Sequence, residues 1–283
     1  MSNIATVRTG TAGWVYAPWR GEFYPPGLVQ KNELAYAASR LGTIEINATF
    51  RANQKPASFI KWASSTPDGF MFSIKGPQLV THIRRLKNCQ TELANFFASG
   101  PLALGNKMGP FVWQLPPNLR LDLEVLGQFL AMLPKSPEQY LALAREADDR
   151  LKSEPFLDFD TTPPIRHAME VRNAALYAEP VFDLLAQHNV ALVLADTPEQ
   201  PKRLRTADFV YCRLQGPARE EATTYSPQDI ADWAAIMQNW IEQDCAVFAY
   251  FVHEDKLHAP ANAIALRQAL GITLPGDGPS QIV

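Results

Sequence analysis

Eight short runs rich in β-branched and aromatic residues alternate with amphipathic stretches along this chain, and this alternation constrains the fold more than any other feature. Most of the runs are apolar nearly throughout, as strands buried on both faces of a sheet are. The alternation therefore predicts an α/β fold with a parallel sheet. The predicted strands are Thr6–Thr11, Thr43–Thr49, Phe70–Lys75, Pro110–Leu115, His167–Arg172, Ala191–Asp196, Phe209–Leu214 and Val247–Val252.

The stretches between the strands carry apolar residues at helical spacing. Several of them have a proline near the first turn, where its missing N–H costs no hydrogen bond. The connection from Thr197 to Ala207 is too short and too interrupted by proline for a full helix, so one helix is predicted to be missing after the sixth strand. The predicted helices are Lys31–Leu41, Pro56–Ser65, Cys89–Ser99, Leu123–Leu133, Ala175–His188, Pro227–Gln243 and Pro260–Leu270.

Two architectures surround a parallel sheet with helices. A doubly wound open sheet usually has a glycine-rich turn after its first strand, but this turn reads GTAGW, which is neither GxGxxG nor a P-loop. A TIM-like (β/α) barrel of seven to eight parallel strands is therefore favoured, and 283 residues suffice for one such domain. Residues near 134–164 interrupt the alternation as a charged insertion with a predicted helix at Glu138–Leu151. The tail near 274–283 is predicted to be loose.

The overall charge and the absence of long apolar runs bear on the class of protein. A net charge of −3 is not typical of a general nucleic-acid coat or of a membrane-surface protein. No run approaches the roughly 20 apolar residues that span a bilayer, and MSNIATVRTG lacks the apolar stretch of a signal peptide. Cys89, Cys212 and Cys245 match no zinc or redox motif. We therefore expect a cytoplasmic protein with reduced, buried cysteines and no membrane partner.

Polar and charged residues interrupt the predicted strands mainly at their C-terminal ends. Side chains alternate faces along a strand, so Glu45 and Asn47 share one face, as do Glu170 and Arg172. If these faces point inward, the side chains converge on the C-terminal mouth of the barrel, where barrel active sites lie. The predicted ring at this mouth consists of Glu45, Asn47, Lys75, Gln114, Glu170, Arg172, Asp196 and Arg213.

Two interpretations of this ring stay open. Its three carboxylates and three cations could form a salt-bridge network that only stabilises the fold. Removing six charges from water often costs more than their mutual attraction returns, so a functional site is the favoured interpretation. The candidate catalytic groups are Glu45, Glu170 and Asp196, and the candidate anion-binding groups are Lys75, Arg172 and Arg213.

Two loops flank the predicted mouth. The loop after the first strand, GWVYAPWRGEFYP, carries Trp14 and Trp19, which suit stacking on a base or sugar ring; a hydrophobic plug is the alternative. The loop after the third strand, GPQLVTHIRRLKN, carries His82, Arg84 and Arg85, which are typical of an anion or phosphate clamp; a solvated basic loop is the alternative. Adjacent arginines cannot both point inward from a regular element, so at most one of them serves.

A metal site is a less favoured alternative. Glu45, Glu170, Asp196 and His253 could form a carboxylate-rich site for a divalent metal. The interleaved cations would repel such a metal. No HExxH motif occurs, and the spacing of His253 and His258 fits no standard zinc site. The sequence therefore predicts no cofactor.

Seven segments that span nearly the whole chain carry a family resemblance: GTAGWVYAPWRGEFYPPGL, TIEINATFRANQKPASFIKWASSTPDGFMFSIKGPQLVTHIRRL, LGNKMGPFVWQLPP, MEVRN, VALVLADT, ADFVYCRLQG and APANA. In this order they resemble the YecE-like family, a domain of unknown function numbered 72. The resemblance implies a TIM-like barrel and no established activity. The family's motif residues fall at Gly10, Trp14, Trp19, Glu45, Asn47, Phe50, Lys75, His82, Gln114, Pro116, Glu170, Arg172, Asp196, Arg213 and Asn262.

The chain departs from the family pattern at two places. One is the charged insertion before the fifth strand. The other is Phe251–Asp255, which reads FVHED where family members often read YFNND. The resemblance therefore implies no role for His253 or Glu254, whereas Asp255 still matches.

Three functions follow as hypotheses. The first is an acid–base enzyme, of hydrolase or lyase type, whose cations hold a small anionic or phosphorylated substrate while Glu45 or Glu170 transfers a proton. The second is a nucleic-acid-processing or nucleic-acid-binding protein that uses the basic and aromatic loops. The third is a non-catalytic binding protein. The further predicted substrate contacts are Asn47, Gln114, His82, Trp14, Trp19 and Asn262.

Overall fold

The computed structural model of this chain describes residues 7–120, 122–158, 164–197, 203–216, 224–252 and 257–273. Each of eight parallel strands in these residues pairs with the next, and the eighth pairs with the first, so the sheet closes into a barrel. The predicted α/β TIM-like barrel is confirmed, with eight strands. These are β1 Val7–Ala12, β2 Thr43–Ile46, β3 Met71–Lys75, β4 Met108–Gln114, β5 His167–Glu170, β6 Val190–Ala195, β7 Phe209–Leu214 and β8 Ala246–Phe251.

Helices alternate with the strands and cover the outside of the barrel, where their apolar faces pack on the outward-facing strand residues. Serine and aspartate residues begin several of them. Ser226 and Asp229, for example, form a capping box at the start of the longest described helix. The helices are α1 Glu33–Arg40, α2 Ala48–Arg51, α3 Pro56–Ser64, α4 Gln90–Ala98, α5 Leu123–Met132, α6 Pro137–Ala144, α7 Glu179–Gln187, α8 Pro227–Ile241 and α9 Ala259–Ala269.

The predicted helix Ala175–His188 is wrong in its first turn, because α7 begins only at Glu179. Pro180 explains the difference. A proline inside a helix that starts at Ala175 would lack the N–H for its hydrogen bond and would clash with the preceding turn. At the second position of α7 it costs neither. Residues Ala174–Leu176 form a separate short 3-10 turn instead.

The predicted helix Glu138–Leu151 is also too long, because α6 ends at Ala144. A contact from another element ends the helical hydrogen bonding. The Asp148 N–H donates to Asn95 Oδ1 of α4 over 2.9 Å, and Asn95 Nδ2 donates back to Asp148 Oδ1 over 2.8 Å. The segment packs on α4, where the Tyr140 hydroxyl also donates to the Phe97 carbonyl over 2.8 Å.

Some predictions fall partly or wholly outside the described residues. In the connection after β6, residues 196–197 and 203–208 contain no helix, and residues 198–202 lie outside the described part. The residues at 253–255 and the tail at 274–283 also lie outside it. In the described part, no helix is long and apolar enough to cross a membrane.

The interior of the barrel has two levels. The lower level, towards the N-terminal ends of the strands, is apolar and includes Phe209 and Phe248, whose rings meet edge to face. Tyr211 and Tyr250 lie above this pair and mark the transition to polar side chains. The upper level is charged. This division places the polar strand-end residues at the C-terminal mouth.

Candidate functional site

Arg213 of β7 joins two buried carboxylates that come from β2 and β5. Its Nε and Nη2 donate to the two oxygens of Glu45 over 3.0 and 2.9 Å, and its Nη1 donates to Glu170 Oε2 over 2.5 Å. The Arg213 side chain is 6% exposed and both glutamates are fully buried. A planar guanidinium suits this forked arrangement, because its donors are fixed in the geometry of two carboxylates.

The charges of this network set the pKa of Glu170. Burial by itself would raise the pKa of this carboxyl group, but the positive charges of Arg213 and Lys75 outweigh burial. The net result is a pKa below its ordinary value. Glu170 is therefore ionised at neutral pH and serves as a fixed negative charge.

Tyr211 belongs to the network, and the sequence reasoning missed it. Its hydroxyl donates to Glu45 Oε2 over 2.7 Å and lies 2.9 Å from Ser73 Oγ. Tyr211 stands two residues before Arg213 on β7, so the alternation of side chains along a strand could have placed it on the same inward face. Both carboxylate oxygens of Glu45 therefore accept hydrogen bonds, from Arg213 and Tyr211.

A second chain of contacts runs from Lys75 of β3 to the same network. Lys75 Nζ donates to Gln114 Oε1 over 2.9 Å, and Gln114 Nε2 donates to Glu170 Oε2 over 2.8 Å. The amine also lies 4.3 Å from the centre of the Phe50 ring. Phe50 is a family motif residue that was not among the predicted ligand contacts. Lys75 is only 8% exposed.

Three more polar side chains surround this centre. Arg172 is 42% exposed, and its Nε lies 3.8 Å from Glu170 Oε1. Gln215 Nε2 lies 3.4 Å from the same oxygen. His82 packs edge to face on Phe50, and burial together with the charges of Lys75 and Arg172 lowers its pKa. The imidazole is therefore neutral at neutral pH.

Asp196 at the end of β6 is held by neutral donors. The backbone N–H of Gln215 donates to its Oδ1 over 2.8 Å, and the Tyr225 hydroxyl donates to its Oδ2. Burial raises the pKa of this carboxyl group. No pattern in the sequence indicated Tyr225, which lies just before α8 and contacts Asp196.

Asn47 and Asn262 were both predicted as ligand contacts. The predicted strand Thr43–Thr49 is too long, since β2 ends at Ile46. Asn47 lies just beyond it and has a helical backbone conformation. Its Oδ1 is buried and has no hydrogen-bond partner among the described residues, so it remains available as an acceptor. Asn262 is buried near the start of α9, where its Oδ1 accepts from the Thr224 hydroxyl over 3.0 Å.

The aromatic loop divides into a buried and a half-buried part. Trp19 is fully buried and packs against Tyr16, Phe23 and Tyr24. The prediction that Trp19 contacts substrate is therefore wrong for this structure, in which the side chain is part of the hydrophobic core. Trp14 is half-buried and meets Trp62 edge to face, so part of its ring stays accessible.

The basic loop does not form the predicted clamp. Arg84 donates through Nε and Nη2 to Glu92 Oε1 of α4, over 3.1 and 2.8 Å. Arg150 contacts the same oxygen over 3.1 Å. Arg85 is exposed and adopts a left-handed backbone conformation, with φ of 54°. Of this loop, His82 is the side chain that lies beside the mouth residues.

The structure therefore separates the predicted ring into two groups. Glu45, Glu170 and Arg213 form a buried ion-pair network of the kind that the stabilising interpretation described. Lys75 and Arg172 lie above it, at the mouth. Within the described ranges, no three histidine, cysteine, aspartate or glutamate side chains are placed to hold a metal ion. The Arg213 guanidinium lies between the carboxylates of Glu45 and Glu170, so these two residues do not fit the carboxylate-rich metal site.

Part of this chain is similar in sequence to a known bacterial protein. The chain is 31% identical over 98 residues to the UPF0759 protein YecE of Escherichia coli strain K12. This match covers 34% of the chain and 36% of YecE, so it spans about a third of the relative's length.

Two crystal structures share the fold over nearly the whole chain. The DUF72 family protein TM1631 of Thermotoga maritima MSB8 superposes with a TM-score of 0.70 and 20% identity, over 94% of this chain and 99% of that one. The DUF72 family protein EF0366 of Enterococcus faecalis V583 superposes with a TM-score of 0.66 and 17% identity, over 96% of this chain and all of that one.

The family profile described as "Protein of unknown function DUF72" matches residues 8–281. This match covers the barrel from β1 to beyond α9 and confirms the resemblance that the sequence motifs carried. The chain belongs to the DUF72 family.

Proposed function

We propose that this protein is an enzyme that binds a small anionic substrate at the C-terminal mouth of its barrel. Lys75 and Arg172 hold the anion, and Gln114 and Asn47 contact its polar groups. The single observation that carries the proposal is the pairing of Arg213 with both deep glutamates. Because one arginine already joins these carboxylates, the mouth above them presents cations to a ligand.

The charges around the mouth support an anion more than a metal cation. Glu45 and Glu170 contribute two negative charges, whereas Arg213, Lys75 and Arg172 contribute three positive charges. Asp196, which follows β6, accepts hydrogen bonds from neutral donors, and burial raises the pKa of its carboxyl group. A partly buried cation attracts a ligand anion more strongly than an exposed one, since water screens the attraction less.

Proton transfer in such a site falls to groups that are partly exposed and have shifted pKa values. Glu45 is fully buried with both oxygens accepting hydrogen bonds, so it positions Arg213 rather than meeting substrate. His82 and Asp196 are half-buried and have shifted pKa values. A neutral imidazole suits a general base, and a carboxyl group with a raised pKa suits a general acid.

The anion site can be tested with inorganic phosphate as the probe. We expect phosphate to raise the Tm of the wild-type protein at constant ionic strength, as a ligand that binds the folded state must. Arg172→Ala should weaken the apparent affinity at least about tenfold, because it removes a charge-assisted contact. Arg145→Ala is the matched control, since Arg145 is exposed at the end of α6. Equal phosphate responses in the three proteins would contradict the proposal.

A second candidate function is the binding of a single-stranded nucleic acid, and a groove beside the mouth favours it. This groove has a volume of about 340 Å³ and begins at Phe50, which also contacts Lys75. Its walls include the exposed cations Arg51, Lys55 and Lys152. A cationic channel with an aromatic residue at one end is typical of proteins that follow a phosphate backbone.

The groove predicts a salt-dependent interaction. We expect wild-type protein to bind a single-stranded oligonucleotide at low salt, with an affinity that falls as salt rises. Lys55→Glu should weaken binding about tenfold, whereas Lys61→Glu on the exposed face of α3 should leave it nearly unchanged. Fluorescence anisotropy at several salt concentrations measures this. No binding at low salt would reject this candidate function.

A further inference from the structure

Lys75 differs from an ordinary structural lysine in how few partners its amine has. Lys107, for comparison, donates to the carbonyl oxygens of Ala63 and Thr66 over 2.7 and 2.6 Å and to the Thr66 hydroxyl over 3.2 Å. All three N–H groups of that ammonium therefore have an acceptor. Lys75 has one acceptor among the described residues, Gln114 Oε1. A neutral amine can make this single bond and still keep its lone pair for another partner.

The surroundings of Lys75 also favour the neutral amine. It is 8% exposed, so little water can solvate an ammonium group, and this burial opposes the attraction that the Phe50 ring, 4.3 Å from Nζ, has for a cation. No carboxylate oxygen of the described residues lies within ion-pair distance of Nζ, because Gln114 separates it from Glu170. The amine at the end of β3 is therefore largely removed from water and has no carboxylate of the described residues as a direct partner.

The charged groups around Lys75 act in both directions. Burial is the largest influence and lowers the pKa of the amine, and the guanidinium groups of Arg213 and Arg172 lower it further. Glu45 and Glu170 oppose them. The result is a pKa of about 8, so a substantial part of the amine is neutral just above neutral pH. His82, the titratable neighbour beside Phe50, is itself neutral there because its pKa is lowered.

We propose that the Lys75 amine forms an imine with the carbonyl carbon of a small anionic aldehyde or ketone. The proposal deepens the proposed function and rests on it, because the mouth cations must hold the anionic end of the substrate. Arg172 is the cation that remains charged throughout, so it binds a carboxylate or phosphate while Lys75 reacts. Buried lysines with an available lone pair are the usual nucleophiles for this chemistry.

The reaction balances without an oxidant or reductant. The Nζ lone pair forms a bond to the carbonyl carbon as the carbon–oxygen π bond opens, the oxygen gains a proton, and the nitrogen loses one. The carbinolamine then loses its hydroxyl group, which leaves with one further proton as water, while the nitrogen lone pair forms the C=N bond. Amine, carbonyl and one proton thus give a protonated imine and water. The neutral imidazole of His82 can transfer these protons.

Borohydride reduction tests the proposal, because it converts an imine into a stable secondary amine. The full-length protein is incubated separately with pyruvate, a carboxylate ketone, and with glycolaldehyde phosphate, a phosphate aldehyde. Each sample is reduced, digested and mapped by mass spectrometry. We expect one adduct per chain, at Lys75, with at least one of the two compounds. The compound that reacts identifies which anionic group the site accepts.

Two controls make the result specific. Lys75→Arg should abolish the adduct, and Lys61→Arg should retain it, because Lys61 is an exposed lysine of α3. If Lys75→Arg fails to fold, the pH dependence of the wild-type protein replaces it. The rate of trapping at Lys75 should rise no more than about twofold between pH 8 and pH 9, because the amine is already about half neutral at pH 8, whereas the neutral fraction of an ordinary lysine rises about tenfold.

Three outcomes would overturn the proposal. They are no adduct with either compound, labelling of Lys61 to the same extent as Lys75, and a trapping rate at Lys75 that rises about tenfold between pH 8 and pH 9. Failure of the imine and failure of the anion site are distinguishable. If phosphate raises the Tm of the wild-type protein but no imine is trapped, the anion site stands without this chemistry. If phosphate also has no effect, both proposals fail.

Discussion

Arg213→Met is expected to lower the free energy of unfolding by about 3–5 kcal/mol, because it leaves two buried carboxylates without their counter-charge. Glu45 and Glu170 are fully buried, so water cannot replace the guanidinium. The side chains that still donate to these carboxylates include Tyr211, Gln114 and Gln215, which are neutral. Urea denaturation monitored by tryptophan fluorescence measures the loss, and the slope of the transition shows whether the folded state remains compact.

Arg172→Met is the matched control, because it removes a second arginine that lies near Glu170. The Arg172 side chain is 42% exposed and its Nε lies 3.8 Å from the carboxylate. An exposed pair of this kind contributes at most about 1 kcal/mol. If the two variants lose the same stability, the buried network does not contribute in the way its geometry indicates.

The pH dependence of stability provides a second test of the buried network, because the wild-type protein and Arg213→Met should respond to pH in opposite directions. In the wild-type protein the pKa of Glu170 is below its ordinary value of 4.5. Its contribution to stability is therefore present above that pH and is lost as the pH falls through the folded-state pKa. In Arg213→Met, burial raises the pKa instead, so stability is lost as the pH rises. The difference in stability between the two proteins should consequently be largest at neutral pH and should become steadily smaller as the pH falls below 4.5.

Gly10→Ala is expected to prevent closure of the barrel or to destabilise it by more than about 4 kcal/mol. Gly10 of β1 pairs with Thr43 of β2. A Cβ atom at Gly10 would lie 1.8 Å from the Thr43 carbonyl oxygen and 2.7 Å from its carbonyl carbon. Both atoms belong to the backbone, so relief requires the two strands to move apart. We expect loss of soluble folded protein or a large fall in Tm.

Gly42→Ala separates this clash from a general intolerance of alanine at the β1–β2 pairing. Gly42 lies next to the same strand pair, and a Cβ atom there would be 3.6 Å from the nearest atom, the Thr9 carbonyl oxygen. That distance is an ordinary contact, so this variant should fold with a Tm close to that of the wild-type protein. If Gly10→Ala were as stable as Gly42→Ala, β1 and β2 could separate at little energetic cost, and this prediction would be wrong.

Much of the barrel could be predicted from the sequence, because its signals are local. Apolar runs of strand length alternate with amphipathic stretches. A strand that is buried on both faces needs apolar residues at nearly every position, so it can be recognised from the sequence. The misplaced helix ends have two different causes. The start of α7 at Glu179 was readable from Pro180, whereas the end of α6 at Ala144 depends on a hydrogen bond between Asp148 and Asn95 of another helix.

The candidate site could be predicted in its composition but not in its pairing. The strand ends showed which polar residues converge, and the structure brings Glu45, Glu170 and Arg213 into contact. The sequence could not show that Arg84 forms an ion pair with Glu92, nor that the Trp19 side chain is buried in the hydrophobic core. A loop residue has no fixed side-chain period, so its direction depends on what packs around it.

The sequence by itself determined the α/β alternation, the convergence of polar residues at the strand ends and the family to which the chain belongs. These properties follow from side-chain periodicity and residue order, which need no knowledge of distant contacts. Only the tertiary structure decided that Arg213 pairs with the two glutamates and that Lys75 has a single hydrogen-bond acceptor among the described residues. The physical reason is that the energy of a buried charge depends on every neighbour within a few ångströms, and barrel closure brings those neighbours from strands far apart in the chain.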